Sequence, residues 1–202
     1  MRVGVLASGN GTNLQAILDR VHGHEGIEVV GVGSDKPAAQ ALERARRAGI
    51  AAAVFERSAF ADRPARDRAM ADWLEGQGVE LVVLAGYMQL LDPGFLARFP
   101  APVINVHPAL LPAFAGIGAV EQGLAYGVKV FGVTVHFVDE GVDTGRIIAQ
   151  RALAVDEAMD AAALHEALRP IEHDLLCEAV VLIARGAVTL DPTHPRRVLV
   201  AR

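Results

Sequence analysis

Cysteine is almost missing from this chain: Cys177 is the single one in 202 residues. That excludes a disulfide framework and any zinc cluster built on cysteine. Basic residues fall short of acidic ones, leaving a net charge of -5. A duplex-binding domain carries a basic face, so sequence-general nucleic-acid binding is not expected. No stretch approaches the ~20 apolar residues of a membrane span. Met1 to Ser8 reads as a short strand running into Gly9, without the small-residue cleavage site of a signal peptide. The expected compartment is the cytoplasm. Also missing are G-x-G-x-x-G, the Walker sequence, His-Glu-x-x-His and Gly-x-Ser-x-Gly. A nicotinamide dehydrogenase, a metal-dependent hydrolase and a serine hydrolase therefore have no sequence support, and no metal site is expected. There is no internal repeat or low-complexity tract.

What is present reads as a well-packed domain. Hydrophobic residues make up 52% and charged residues 21%, which excludes a disordered chain. A chain of this length buries roughly 70% of its unfolded surface. Continuous apolar runs at Arg2 to Ala7, Ile27 to Val32, Ala52 to Phe55, Leu81 to Leu84 and Val103 to Val106 (flanked by Pro102 and Pro108) predict strands. They alternate with helical patterns from Thr12, over Ala38 to Ala48, and over Asp62 to Leu74. That alternation predicts an α/β, Rossmann-like open sheet, mostly parallel, with helices on both faces. Gly132 to Val138 and Ile147 to Leu153 predict a hairpin with a long acidic loop, hence an antiparallel C-terminal edge. A long helix follows over Ala161 to Ala184. The tail after Gly186 shows no clear periodicity. We expect one domain over 1–202, with a phosphate- and substrate-binding half (1–100), a catalytic and cosubstrate-binding half (101–186) and a tail (187–202).

In an open parallel sheet, ligands bind beyond the carboxyl ends of the strands, and three unusual segments fall there. Ser8-Gly9-Asn10-Gly11-Thr12-Asn13-Leu14 lies between strand and helix. It could hold a phosphate on free N–H groups, or be an ordinary turn with Thr12 as N-cap. Ile104-Asn105-Val106-His107-Pro108 places an amide and an imidazole two residues apart at a strand end, projecting the same way. They could form an oxyanion-stabilising pair, or His107 could simply bond to local backbone. The acidic loop from Asp139 to Gly145 could bring a carboxylate to His107 and stabilise positive charge on it, or be a solvated turn. His136 could be a core histidine or a site residue.

Taken together these segments resemble the phosphoribosylglycinamide formyltransferases, folate-dependent enzymes of purine biosynthesis. The marks are Ser8-Gly9-Asn10-Gly11-Thr12-Asn13-Leu14-Gln15, Leu42-Glu43-Arg44-Ala45, Leu84-Ala85-Gly86-Tyr87-Met88, Ile104-Asn105-Val106-His107-Pro108 with Leu110-Leu111-Pro112, and Gly132 to Val138 followed by Asp143-Thr144-Gly145. The resemblance runs to about Gly186. It implies direct formyl transfer, through a tetrahedral intermediate, from 10-formyltetrahydrofolate to the amine of glycinamide ribonucleotide, without metal. It assigns catalysis to Asn105, His107 and Asp143. It gives the substrate to Gly11, Thr12, Asn13 and Glu172, and the folate to Arg63, Met88, Gln89, Leu90, Leu91 and Asn105. It makes Leu111-Pro112 a candidate cis bond. Formyl transfer to another small amine, or a weakly active folate- or nucleotide-binding relative, is the alternative. A homodimer is compatible with the sequence. One stretch departs from the pattern: the family reads aromatic-Pro-Gly-x-His where this chain has Phe114-Ala115-Gly116-Ile117-Gly118. Those changes are expected to loosen the loop, and restoring Ala115→Pro and Gly118→His to raise activity if the loop is impaired.

Overall fold

The structure, a computed structural model, describes residues 1–99 and 103–201. Pro102, and the 100/101 boundary expected between the halves, lie outside the described residues. The chain forms two compact units, Met1–Asn105 and Val106–Arg202.

The first unit alternates strand and helix. Its elements are β1 (Arg2–Leu6), α1 (Thr12–Arg20), β2 (Glu28–Ser34), α2 (Gln40–Arg47), β3 (Ala51–Val54), α3 (Arg63–Gly76), β4 (Leu81–Leu84) and α4 (Pro93–Arg98), leading into β5 (Val103–His107). The strands are hydrogen-bonded in the order β3-β2-β1-β4-β5, all parallel. The apolar runs have the expected consequence: Val3, Val5, Leu6, Val82, Val83 and Ile104 are fully buried, as strands covered on both faces must be. On α1 the predicted stripe holds, with Leu14 and Ile17 fully buried. The helix starts follow local chemistry. Asp62 caps α3 by accepting from the Ala65 amide at 2.8 Å, and Asp92 caps α4 through the Gly94 amide at 2.9 Å, with proline in the first turn of each.

Strand β5 runs across the unit boundary, so its end at Val106 and His107 belongs to the second unit. That unit adds α5 (Ala119–Tyr126), β6 (Val130–Phe137), β7 (Ile147–Ala154), α6 (Ala161–Ala184), β8 (Val188–Leu190) and β9 (Val198–Val200). The sheet order continues β5-β6-β7, and β6 and β7 form the expected antiparallel edge. Helix α6 packs on β6 and β7 and buries Leu164, Leu168, Leu176, Ala179 and Val180. The tail is a small antiparallel hairpin of β8 and β9, which no periodicity in the sequence had announced. Among the described residues, no helix is long and apolar enough to cross a membrane.

Candidate active site

In the first unit, two loops at the carboxyl ends of β1 and β4 clasp one another. The Ser8 amide donates to the Gly86 carbonyl at 3.0 Å, and the Met88 amide donates to Ser8 Oγ at 2.9 Å. Gly11, rather than Thr12, is the N-cap of α1, at φ 70° and ψ 33°. A Cβ there would stand 2.8 Å from Ala41 Cα. The position therefore needs glycine twice over, for its left-handed backbone and for the approach of α2. With no side-chain cap at this start, the amides of the first turn have no acceptor inside the helix. Helix α2 braces the loop. Arg44 Nε donates to the Asn10 carbonyl at 2.8 Å, and its Nη1 donates to Gln15 Oε1 at 2.9 Å. That is the structural work of the Leu42-Glu43-Arg44-Ala45 motif.

The residues matched to folate contacts are placed unequally. Met88 and Leu90 are 60% and 52% exposed, whereas Leu91 is buried. Gln89 is half-buried and donates to Asp35. Arg63 is the first residue of α3 and is exposed. Three residues on, Arg66 is buried against Asp67 and reaches back to Gln89 and Leu90. Nothing in the sequence singles out this arginine, because a charge on an amphipathic helix reads as solvent-facing.

In the second unit, the groups brought together are side chains that titrate. His107, at the end of β5, is 5% exposed. Its Nδ1 lies 3.2 Å from Asp143 Oδ2, and its Nε2 lies 2.9 Å from the Phe114 carbonyl. A carbonyl only accepts, so Nε2 is the donor in that contact. The ring can donate to both neighbours only in its doubly protonated form. The other oxygen of Asp143 stands 3.4 Å from His136 Nε2, and His136 Nδ1 lies 2.8 Å from the Phe137 carbonyl. The carboxylate thus sits between two imidazoles. Burial pushes the Asp143 carboxyl up, but the His136 contact, the Gly116 amide at 2.8 Å and the two nearby imidazoles outweigh it and hold it at about 2. His136 is the residue that alternation along β6 could not assign; the fold puts it against Asp143.

The departing loop touches both His107 and Asp143. The Phe114 carbonyl meets His107 and the Gly116 amide meets Asp143. Gly118 is the N-cap of α5 at φ 73°, a backbone that a histidine adopts only at a cost. Upstream, Thr134 Oγ1 accepts from the Leu111 amide at 3.1 Å, donates to the Ala109 carbonyl at 2.6 Å and takes a donor from Gln150 at 2.9 Å. The Leu111-Pro112 bond is cis, as expected. Asn105 shares its strand face with His107, two residues away on β5. Glu172 is half-buried on α6, two residues after Pro170. Among the described residues no cluster of three or more His, Cys, Asp or Glu could hold a metal ion.

The formyl transferase family matches residues 1–180 of the chain. The chain is 42% identical, over 170 residues, to a phosphoribosylglycinamide formyltransferase of Bacillus subtilis (strain 168); the match covers 84% of this chain and 87% of that protein. It is 42% identical over 189 residues to the enzyme of the same name from Mycobacterium tuberculosis (strain ATCC 25618 / H37Rv), covering 94% and 87%. A crystal structure of glycinamide ribonucleotide transformylase 1 from Symbiobacterium toebii superposes with a TM-score of 0.95 at 46% identity, covering 100% of this chain and 94% of that one. The mostly parallel sheet, the glycine-capped α1 and the buried histidine–aspartate contact thus occur in a chain that belongs to the formyl transferase family, in its phosphoribosylglycinamide formyltransferase branch.

Proposed function

We propose that this enzyme transfers the formyl group of 10-formyltetrahydrofolate directly to the amine of glycinamide ribonucleotide, in the cytoplasm, with Asn105, His107 and Asp143 as its catalytic groups. The observation that carries the assignment of roles is the ionised Asp143 beside His107, at 3.2 Å. The folate supplies an activated formyl carbonyl. Attack by the amine forms the new C–N bond and leaves negative charge on the formyl oxygen. The Asn105 amide and the His107 Nε2–H, which Phe114 holds in the resting enzyme, donate to that oxygen. Collapse breaks the bond to the folate nitrogen, which takes up a proton while the new amide nitrogen gives one up. His107, or a water held by Asp143, carries that proton.

The first-turn amides of α1, at Thr12 and Asn13, with Gly11 before them, take the substrate phosphate. Glu172 contacts the rest of that substrate. Met88, Gln89, Leu90 and Leu91, with Arg63 and Asn105, contact the folate. Exposed Met88 and Leu90 side chains on an anchored backbone offer apolar surface to the faces of the folate's rings.

The test is formyl transfer with purified enzyme, both substrates and a chelator. Turnover that survives chelation and is lost in His107→Ala is the expected result. Binding of both substrates without turnover would overturn the catalytic assignment. Absence of binding would overturn the choice of acceptor.

A further inference from the structure

Arginine is seldom fully buried, because its guanidinium fork must find acceptors wherever it goes. Arg66 is 2% exposed and its neighbour Asp67 is 1% exposed. Arg66 Nε donates to Asp67 Oδ1 at 2.7 Å, Nη2 donates to the Leu90 carbonyl at 3.2 Å, and Nη1 reaches Gln89 Oε1 at 3.4 Å. The second oxygen of Asp67 accepts from the Asp92 amide at 2.7 Å. A single arginine–carboxylate pair therefore grips the segment from Gln89 to Asp92 at both ends. Gln89 passes the grip on, its Nε2 donating to Asp35 Oδ2 at 3.0 Å just beyond β2. Asp35 is itself buried, with Oδ1 unpartnered among the described residues.

Such an arrangement costs free energy to bury. Burial pushes the Asp67 carboxyl up, against the Asp92 amide and the Arg66 guanidinium. An apolar pair of similar volume would fill the same space without that desolvation. What the charged pair does, and an apolar pair could not, is bond the Leu90 carbonyl and the Asp92 amide. Leu90 within that segment, and Met88 just before it, have exposed side chains. Apolar groups presented on a backbone tied down from behind are preorganised for a ligand.

We propose that Arg66, acting with Asp67, is a positioning residue that sets the Gln89–Asp92 backbone in its folate-binding shape, and that the Gln89–Asp35 contact ties that segment to the end of β2. This rests on the reading of residues 88–91 as folate contacts. Arg66→Lys keeps the charge and loses the fork. The measurements are amide hydrogen exchange at residues 89–92 in the ligand-free enzyme, and the KM of each substrate separately. Charge-assisted hydrogen bonds of this kind carry about tenfold effects. Arg66→Lys should therefore speed exchange at 89–92 by about tenfold and raise the KM for 10-formyltetrahydrofolate by about tenfold, with the KM for glycinamide ribonucleotide within about twofold. A general loss of structure would move both KM values together and would overturn the proposal. Unchanged exchange would also overturn it.

Faster exchange with an unchanged folate KM is resolved by Met88→Ala and Leu90→Ala. If those raise the folate KM, the positioning role fails; if they do not, the folate reading of the segment fails. Should Arg66→Lys not fold, Asp35→Ala leaves the Arg66–Asp67 pair in place and removes the acceptor of the Gln89 side-chain amide. It should then speed exchange at Gln89 and raise the folate KM in the same direction, and the absence of both changes would count against the proposal.

Discussion

The two units hold their candidate reactive groups by different means. In Met1–Asn105 the loop after β1 offers backbone amides, set by the left-handed Gly11 and braced by Arg44. In Val106–Arg202 the groups are side chains, with Asp143 held between two imidazoles and a backbone amide. The first device depends on shape and is indifferent to pH. The second depends on charge and has little tolerance for losing a partner. A phosphate has its charge before and after the reaction, so fixed dipoles serve it. An oxyanion that exists only in passing calls for a donor that can also move a proton.

The largest effects should come from the charged device. His107→Ala and Asp143→Ala there, and Asn105→Ala at the end of the first unit, should each lower kcat by ~100- to 1000-fold, the usual scale for losing one oxyanion donor, in steady-state assays at saturating substrates. A variant with near-normal kcat would remove that residue from the catalytic set. The shape-dependent device should fail differently. Gly11→Ala places a methyl against Ala41 and puts a Cβ on a left-handed backbone. It should cost about 1–3 kcal/mol of stability and raise the KM for glycinamide ribonucleotide by about tenfold or more, with the KM for the folate little changed. Thermal unfolding and separate KM values check both. A Gly11→Ala enzyme with normal stability and KM would erase the distinction between the units.

A subtler difference is expected in pH dependence. The Asp143 carboxyl is depressed from 3.8 to about 2. Its contribution to stability, at most about 2 kcal/mol, is therefore fully present above pH ~4 and is lost as pH falls towards 2. His136→Phe removes one of the depressing contacts. It should lower stability at neutral pH by about 1 kcal/mol through this linkage, with the deficit shrinking as pH falls below ~4. Denaturant unfolding across that range isolates the linked part, because a packing defect would not vary with pH. A deficit constant with pH would show that His136 does not act on Asp143.

The smallest effect on turnover concerns the departing loop. Gly118→His must take φ near 73°, at a cost of about 1–2 kcal/mol. It should lower stability slightly and leave turnover no higher. A gain in kcat would show that the loop is impaired after all.

Much of the fold could be read in advance, and the exceptions have physical causes. β4 and α6 fall where apolar run length and helical periodicity put them. Helix α5 escaped because it is short, contains Gly123 and starts from Gly118 rather than a side-chain cap. The β8–β9 hairpin escaped because three-residue strands are too short to show alternation. Among the proposed site residues, Asn105 and His107 were legible from spacing along one strand. Neither His136 nor Arg66 was, since alternation and amphipathicity assign a face and not a partner. The contact of His107 with Asp143 joins residues 36 apart in sequence, and only folding brings them together.

His107 and Asp143 are expected to work as one unit in turnover. A double-mutant cycle on kcat, with His107→Ala, Asp143→Ala and both together, tests it most directly. The double variant should be little worse than the poorer single variant. Losses that multiply would mean that the two residues act independently, and would contradict it.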